Sequence, residues 1–282
     1  MYKLELAVSI SVVKQLGLKD GVYRYCLRPD FKERLKEMKE ANINRIEIDI
    51  SQTWYADVAL NILKQALKIM KRQGIKLNSV HFPFGRTWID MAYTYEPDRQ
   101  EIVKWIGKVF KIVDNYEPKA YVFHPGGIDL TENGKDAAFE ALVKSANEMS
   151  KLTKVPVCFE NMVSGYLTQS IDRLVELVTK APDANIVVDV NHFLYNGEKA
   201  EDAILKLKDK VKTLHISDYD FVKERHLMPG NGLINWNNVI GALEKVGYNG
   251  AFTYEVSARH GYTYKEIREN YENLFENYNK SK

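Results

Sequence analysis

The sequence has 282 residues, of which 45% are hydrophobic and 28% are charged, a balance typical of globular proteins. No segment reaches the ~20 uninterrupted apolar residues of a membrane-spanning helix, so we expect no membrane partner. Forty Lys and Arg residues against 38 Asp and Glu residues leave a formal net charge of +2, which argues against a protein built mainly to hold nucleic acid.

The N-terminal residues and the two cysteines indicate a compartment. Residues 1–17 have a short apolar core and no small-residue cleavage site, which predicts a first strand and not a signal peptide. Cys26 and Cys158 are too few and too far apart for a disulfide framework. We therefore expect a protein of the reducing cytoplasm.

Short β-rich runs alternate with longer amphipathic segments along the whole chain. The predicted strands are residues 4–10, 44–50, 76–82, 119–125, 155–161, 185–190, 211–217 and 251–256. Residues 57–74 carry apolar side chains at helical spacing, and Gly74 is expected to end that helix. A second clear helix covers residues 100–116, where Pro118 bars continuation.

About eight strand-then-helix units predict the fold. This alternation favours an α/β (β/α)₈ TIM barrel that occupies residues 1–282 as a single domain. The rival is a doubly wound open sheet, which usually has a Gly-rich phosphate loop after its first strand. Residues 9–17, SISVVKQLG, are unlike such a loop. The segment 261–280 is either a final barrel helix or a dimer contact, and its aromatic spacing favours packing.

Residues with metal-ligand chemistry fall at the ends of six successive predicted strands. They are His81, His124, Glu160, Asp189, His215 and Glu255. In a TIM barrel these ends converge on one mouth, where active sites lie. Carboxylate and imidazole ligands suit Zn²⁺, Mn²⁺, Fe²⁺ or Co²⁺ better than Ca²⁺. The pattern therefore predicts a functional cluster at this mouth.

Taken one at a time, these residues have simpler explanations. His81 would be a core histidine, Glu255 a surface acid, and Asp189 the cap of the next helix. Glu47 and Asp49 are also acids within a predicted strand, although neither is assigned a ligand role. Recurrence at the same end of six strands favours a shared site.

Two loops add candidate residues to the mouth. Residues 123–127, FHPGG, allow a sharp turn directly after His124. Residues 224–236, ERHLMPGNGLINW, begin with Glu224, Arg225 and His226. This second loop is a substrate clamp, a further metal site, or an ordinary charged loop.

The ordered motifs VHFPF, FHPGG, CFENM, VVDVNHF, LHISD, ERHLMPGNGLINW and TYEV resemble the xylose isomerase-like TIM barrels, from about residue 79 to 257. That superfamily includes sugar and sugar phosphate isomerases and epimerases, and also the endonuclease IV family of DNA repair enzymes. The resemblance therefore implies a metal-dependent enzyme, most directly one of carbohydrate metabolism.

The epimerase branch implies one divalent ion held by Glu160, Asp189, His215 and Glu255. The ion would act as a Lewis acid on a small sugar, sugar phosphate or polyol, and it is Zn²⁺, Mn²⁺, Mg²⁺, Fe²⁺ or Co²⁺. Glu160 and Glu255 would move the proton through an enediolate-like intermediate. The expected substrate contacts are His81, His124, His192, Arg225 and His226. Arg86, Trp54, Trp88 and Tyr93 are further candidates, or plain surface and core residues.

The endonuclease IV branch implies three zinc ions and nine ligands. The five ligands beyond the epimerase set would be His81, His124, His192, Glu224 and His226. Glu224 stands where that family has Asp, and its extra methylene moves a ligand by more than ~1 Å. Residues 80–92 and 215–220 also differ from the repair enzymes. Hydrolysis at abasic DNA is thus the alternative function, and ligand binding without turnover is a third.

Overall fold

Eight parallel strands form the centre of the computed structural model, which describes residues 1–10, 31–50, 56–83, 89–127 and 131–282. They are β1 Glu5–Ser9, β2 Arg45–Asp49, β3 Lys76–His81, β4 Ala120–Phe123, β5 Val157–Glu160, β6 Asn185–Asp189, β7 Val211–His215 and β8 Ala251–Tyr254. Each lies within one of the eight predicted strands. Cys26, Trp54, Arg86 and Trp88 lie outside the described residues.

The strands close into a barrel. Their order is β7-β6-β5-β4-β3-β2-β1-β8, and β1 pairs with β8 in parallel from Glu5 opposite Ala251 to Val8 opposite Tyr254. A parallel bridge between Ile216 and Tyr254 joins the two remaining edges. The predicted TIM barrel is therefore confirmed.

Helices follow the strands around the outside. Their bounds are α1 Phe31–Glu40, α2 Ala56–Gln73, α3 Glu96–Val113, α4 Glu132–Met149, α5 Ile171–Lys180, α6 Val190–Tyr195, α7 Ala200–Leu207, α8 Trp236–Lys245 and α9 Tyr264–Lys280. Short 3-10 turns cover Asp114–Tyr116, Lys208–Lys210 and Ala258–His260. None of the helices in the described ranges is both long and apolar enough to span a membrane.

The two helices with clear sequence patterns are both confirmed. Gly74 follows α2 with a φ of +68°, a left-handed conformation that glycine adopts without a Cβ clash. Helix α3 begins at Glu96, earlier than residue 100, because Pro97 fits its first turn.

Helix α9 is the last helix of the barrel. Its apolar face buries Tyr264, Ile267, Tyr271, Phe275 and Tyr278 against the rest of the core. The chain ends are also joined, because the Tyr2 N–H donates to Asn279 Oδ1 at 3.0 Å and Asn279 Nδ2 donates to the Tyr2 carbonyl at 2.9 Å. The aromatic spacing of this segment thus serves packing within the chain.

Candidate metal centre

The mouth of the barrel gathers all six predicted strand-end residues. His81, Glu160, Asp189 and His215 are the last residues of β3, β5, β6 and β7, and His124 and Glu255 directly follow β4 and β8. Parallel strands bring these positions to one end of the barrel because their carboxyl ends point the same way.

Glu160 lies at the centre of the group. Its Oε1 is 2.9 Å from His215 Nδ1, and its Oε2 is 3.4 Å from His81 Nε2 and 3.3 Å from His124 Nε2. The side chain is almost fully buried. One carboxylate thus connects three histidines from three other strands.

Four residues form a set that could hold a divalent ion. Glu160, Asp189, His215 and Glu255 each offer one ligand atom, and these atoms lie within 4.8 Å of one another. His215 Nδ1 is 3.1 Å from Glu255 Oε2 and 3.9 Å from Asp189 Oδ2. Three carboxylates and one imidazole are a suitable donor set for Zn²⁺, Mn²⁺, Fe²⁺ or Co²⁺.

Asp189 shows why a cation fits. Its Oδ1 accepts the His192 N–H at 2.9 Å, so the residue does cap α6 as the simpler explanation proposed. Its Oδ2 is buried and has no hydrogen-bond partner among the described residues. A buried carboxylate oxygen without a donor is costly unless a charge compensates it. Capping uses one oxygen of this side chain and leaves the other oriented for a cation.

The pKa values of this set follow from burial and mutual charge. Burial raises the pKa of Asp189 to about 6, although His192 lowers it. Burial also acts to raise the pKa of Glu255, but the charge of His215 outweighs it and lowers the value to about 2. Burial likewise acts to raise the pKa of Glu160, but the neighbouring histidines outweigh it and hold the value well below its usual range. A divalent cation would relieve the repulsion among these carboxylates.

Backbone carbonyls fix the ring protons of three histidines. The Nδ1 atoms lie against carbonyl oxygens: His81 against Phe82 at 2.8 Å, His192 against Asn161 at 2.8 Å, and His226 against Glu255 at 3.1 Å. A carbonyl only accepts, so Nδ1 donates in each ring. The Nε2 atom is then the one that can ligate, which is how metal-binding histidines are usually held.

The loop after β7 completes a third group of possible ligands. Glu224 Oε1 is 3.0 Å from His192 Nε2 and 2.9 Å from His226 Nε2. These two histidines hold the pKa of Glu224 well below its usual value. Within the part of the chain that the structure describes, the groups that could hold an ion are this one, the four-residue set, and His81 with His124 and Glu160.

Not every predicted substrate contact points into these groups. The Arg225 guanidinium pairs with Asp220 of its own loop, and its carbonyl lies 2.8 Å from His260 Nε2. Tyr93 is 38% exposed. The roles assigned to both residues stay predictions.

Three residues that hold site residues or the loop after β7 in place were not identified from the sequence. Asn161 bonds the backbone of Asp189 in both directions, Asp218 anchors the loop after β7, and Glu47 lies against the His215 ring. Glu47 had a usable signal, since an acid between Ile46 and Ile48 in the middle of a predicted strand is expected to have a buried partner. Asn161 and Asp218 give no comparable signal, because most of their partners lie 12 or more residues away along the chain.

These features define a TIM barrel with a carboxylate and histidine cluster at its mouth. The sequence profile of the xylose isomerase-like TIM barrel family matches residues 35–277, and the chain belongs to that family.

Relatives of this chain include the uncharacterised protein MJ1614 of Methanocaldococcus jannaschii, 24% identical over 74% of this chain and 80% of the relative. The D-psicose 3-epimerase of Ruminiclostridium cellulolyticum is 25% identical over 83% of this chain and 80% of that enzyme. Similar solved structures include a D-tagatose 3-epimerase-like protein, with a TM-score of 0.76, 20% identity and 99% of each chain covered. An AP endonuclease, family 2, from Brucella melitensis has a TM-score of 0.71 and 17% identity, with 93% of this chain and 96% of that chain covered.

Proposed function

We propose that this protein is a divalent-metal-dependent epimerase or isomerase of a small sugar, sugar phosphate or polyol. The observation that carries the proposal is the four-residue set of Glu160, Asp189, His215 and Glu255. The relatives that are named D-psicose 3-epimerases support the substrate class. The proposed site predicts one ion per chain.

A bound ion would act as a Lewis acid toward a substrate carbonyl and the hydroxyl on the neighbouring carbon. This would acidify the C–H bond of that neighbouring carbon. Glu160 and Glu255 carry the proton in this proposal. Both contact His215 Nδ1, at 2.9 and 3.1 Å, so their carboxylates are fixed relative to a common atom. Their low pKa values keep both ionised near neutral pH in the ligand-free site, as a proton acceptor must be. In the proposed step, one carboxylate removes the proton from one face of the carbon and becomes a carboxylic acid. The other first takes up a proton from solvent and then delivers it to the opposite face.

A second candidate is hydrolysis of DNA at an abasic site. It is favoured by the three groups of possible ligands together with the orientation of His81, His192 and His226, whose Nε2 atoms face these groups. This function requires about three ions per chain and binding of duplex DNA that weakens steeply with salt.

Metal content separates the two candidates. We would measure metal per chain by elemental analysis, without chelators, on the wild type, Glu160→Gln and Glu224→Gln. The epimerase proposal predicts about one ion, lost in Glu160→Gln and kept in Glu224→Gln, because Glu224 bonds His192 and His226, which lie outside the four-residue set. About three ions, fewer in both variants, would instead make nicking of abasic DNA the next assay. A folded protein without metal would contradict both candidates.

Proton exchange tests the chemistry directly. In D₂O, a panel of ketoses and sugar phosphates should gain deuterium at one carbon with the wild type and not with Glu255→Gln. A substrate that binds to the wild type and to Glu160→Gln alike, without exchange, would support the third possibility, a barrel that binds without turnover.

A further inference from the structure

Glu47 is a fully buried acid in β2, and it lies on the far side of the His215 ring from the four-residue set. Its Oε1 is 3.1 Å and its Oε2 3.3 Å from His215 Nε2. On the other side of the ring, Nδ1 faces Glu160 and Glu255. His215 is therefore placed between carboxylates at both nitrogens.

A chain of hydrogen bonds fixes Glu47 as an acceptor. Asn78 Nδ2 donates to Ser79 Oγ at 3.0 Å and to Thr253 Oγ1 at 3.2 Å. Since Ser79 Oγ accepts from this amide, its own hydrogen is available for Glu47 Oε2 at 2.6 Å. The carboxylate thus receives a hydrogen from Ser79, and it receives the second from His215 Nε2.

An ion held by Glu160 and Glu255 would occupy the Nδ1 side of His215 and leave the ring proton on Nε2, where Glu47 accepts it. With Nε2–H donated to Glu47, the lone pair available for a ligand is on Nδ1, which faces Glu160 and Glu255. The three other histidines with assigned ring protons, His81, His192 and His226, are held by neutral carbonyls and bind through the opposite nitrogen. A carboxylate partner also makes the ring a stronger base toward metal than a carbonyl does.

We infer that Glu47 is a positioning residue that holds His215 with Nδ1 directed at the metal and strengthens it as a ligand. The inference rests on the proposed metal centre. Stability alone does not account for Glu47, because a fourth buried carboxylate beside Glu160, Asp189 and Glu255 costs desolvation and repulsion. An apolar side chain would fill the same space without either cost.

Glu47→Gln is the direct test, because it keeps the size of the side chain and removes the charge. Thr213→Val is the matched control. Like Glu47, Thr213 is buried, and it lies in β7 two residues before His215. Its hydroxyl has no hydrogen-bond partner among the described residues. Ser79→Ala leaves Glu47 in place and removes one of its donors. It keeps the test open if Glu47→Gln fails to fold.

The measurements are the dissociation constant for Co²⁺, by competition with a chromophoric chelator, and the visible spectrum of the Co²⁺ protein. We expect the Co²⁺ dissociation constant to rise about 10- to 100-fold in Glu47→Gln, the range typical for partners of ligating histidines, with an altered spectrum. Ser79→Ala should shift the constant in the same direction by less, and Thr213→Val should match the wild type. The ¹⁵N signals of His215 should report a proton on Nε2 in the loaded wild type.

The outcomes separate this inference from the proposed function. Wild-type affinity and spectrum in both Glu47→Gln and Ser79→Ala would overturn the role of Glu47 and leave the metal centre standing. A proton on Nδ1 of His215 in the loaded protein would overturn it as well. A wild type that binds no Co²⁺ and contains no other ion would remove the metal centre and this inference with it.

Discussion

Asn161 shows how one buried amide can hold two site residues. Its Oδ1 accepts the Asp189 N–H at 2.7 Å, and its Nδ2 donates to the Asp189 carbonyl at 2.9 Å. Its own carbonyl accepts from His192 Nδ1 at 2.8 Å. The ends of β5 and β6 are therefore joined at the level of the proposed metal ligands.

Asn161→Asp should destabilise the fold. A carboxylate cannot donate to the Asp189 carbonyl, and it adds negative charge beside Glu160. We expect a loss of about 1–3 kcal/mol in the free energy of unfolding, measured with urea. Asn185→Asp is the control, because the Asn185 amide donates to the exposed Asp183 carbonyl, and the loss of stability should stay within about 0.5 kcal/mol. Equal losses in the two variants would contradict the role of Asn161.

Gly126 tests the packing of the turn after His124. Its φ is +80°, and a Cβ there would lie 1.9 Å from Asp90 Oδ1, while Gly165 has a φ of +97° with nothing within 4 Å. Both Ala variants carry a left-handed backbone cost of about 1–2 kcal/mol. Gly126→Ala should lower the free energy of unfolding clearly more than Gly165→Ala does, because Asp90 would have to move and give up its hydrogen bond from the Gly127 N–H. Urea unfolding of both variants measures the difference, and similar losses would mean that Asp90 yields easily.

At the scale of elements, the residues at the strand ends could be predicted from the sequence. The residues that hold them in place, such as Glu47 and Asp218, could not. Glu160 and Asp189 end short apolar runs, and parallel strands bring such positions to the same end of the barrel whatever the loops do. The pairing of Glu47 with His215 depends on the rotation of β2 against β7, across the barrel. Asp218 depends on the path of a long loop. Sequence spacing encodes neither of these tertiary relationships.

The loop that carries Glu224 and His226 is anchored at its base. The Asp218 carboxylate accepts from the N–H groups of Tyr219 at 2.9 Å, Gly230 at 2.7 Å and Ile234 at 3.1 Å, and from Trp236 Nε1 at 3.0 Å. One buried side chain thus organises residues on both sides of the possible ligands.

Asp218→Asn should loosen this loop while the barrel stays folded. The new amide nitrogen would face N–H groups that donated to the replaced carboxylate oxygen. At least one buried N–H would therefore lose its acceptor. We expect tryptic cleavage after Lys223 or Arg225 to become roughly tenfold faster, since a loss of ~1.4 kcal/mol raises the open population tenfold. Asp209→Asn, at an exposed acid in the 3-10 turn before β7, is the control for a lost charge. Unchanged cleavage in Asp218→Asn would show that the loop is held by other contacts.

For the whole molecule, the proposed metal site coincides with the closure of the barrel. Among the described residues, the paired backbone between β7 and β8 is the bridge at Ile216, whose N–H donates to the Thr253 carbonyl at 2.8 Å and whose carbonyl accepts the Glu255 N–H at 3.0 Å. His215 and Glu255 are the proposed ligands on either side of that bridge. An ion bound by residues of β5 through β8 would therefore link strands where their backbone pairing is short.

Metal removal should consequently lower the stability of the whole barrel. An ion at 100 times its dissociation constant stabilises the folded state by about 2.7 kcal/mol, which corresponds to a rise in Tm of roughly 5 °C or more. We expect the Tm of the chelator-stripped wild type to recover on addition of Co²⁺ or Mn²⁺. The Tm of Glu160→Gln should not change on addition of the ion, because this variant lacks one carboxylate of the four-residue set. A variant that responds like the wild type would place the stabilising ion elsewhere in the molecule.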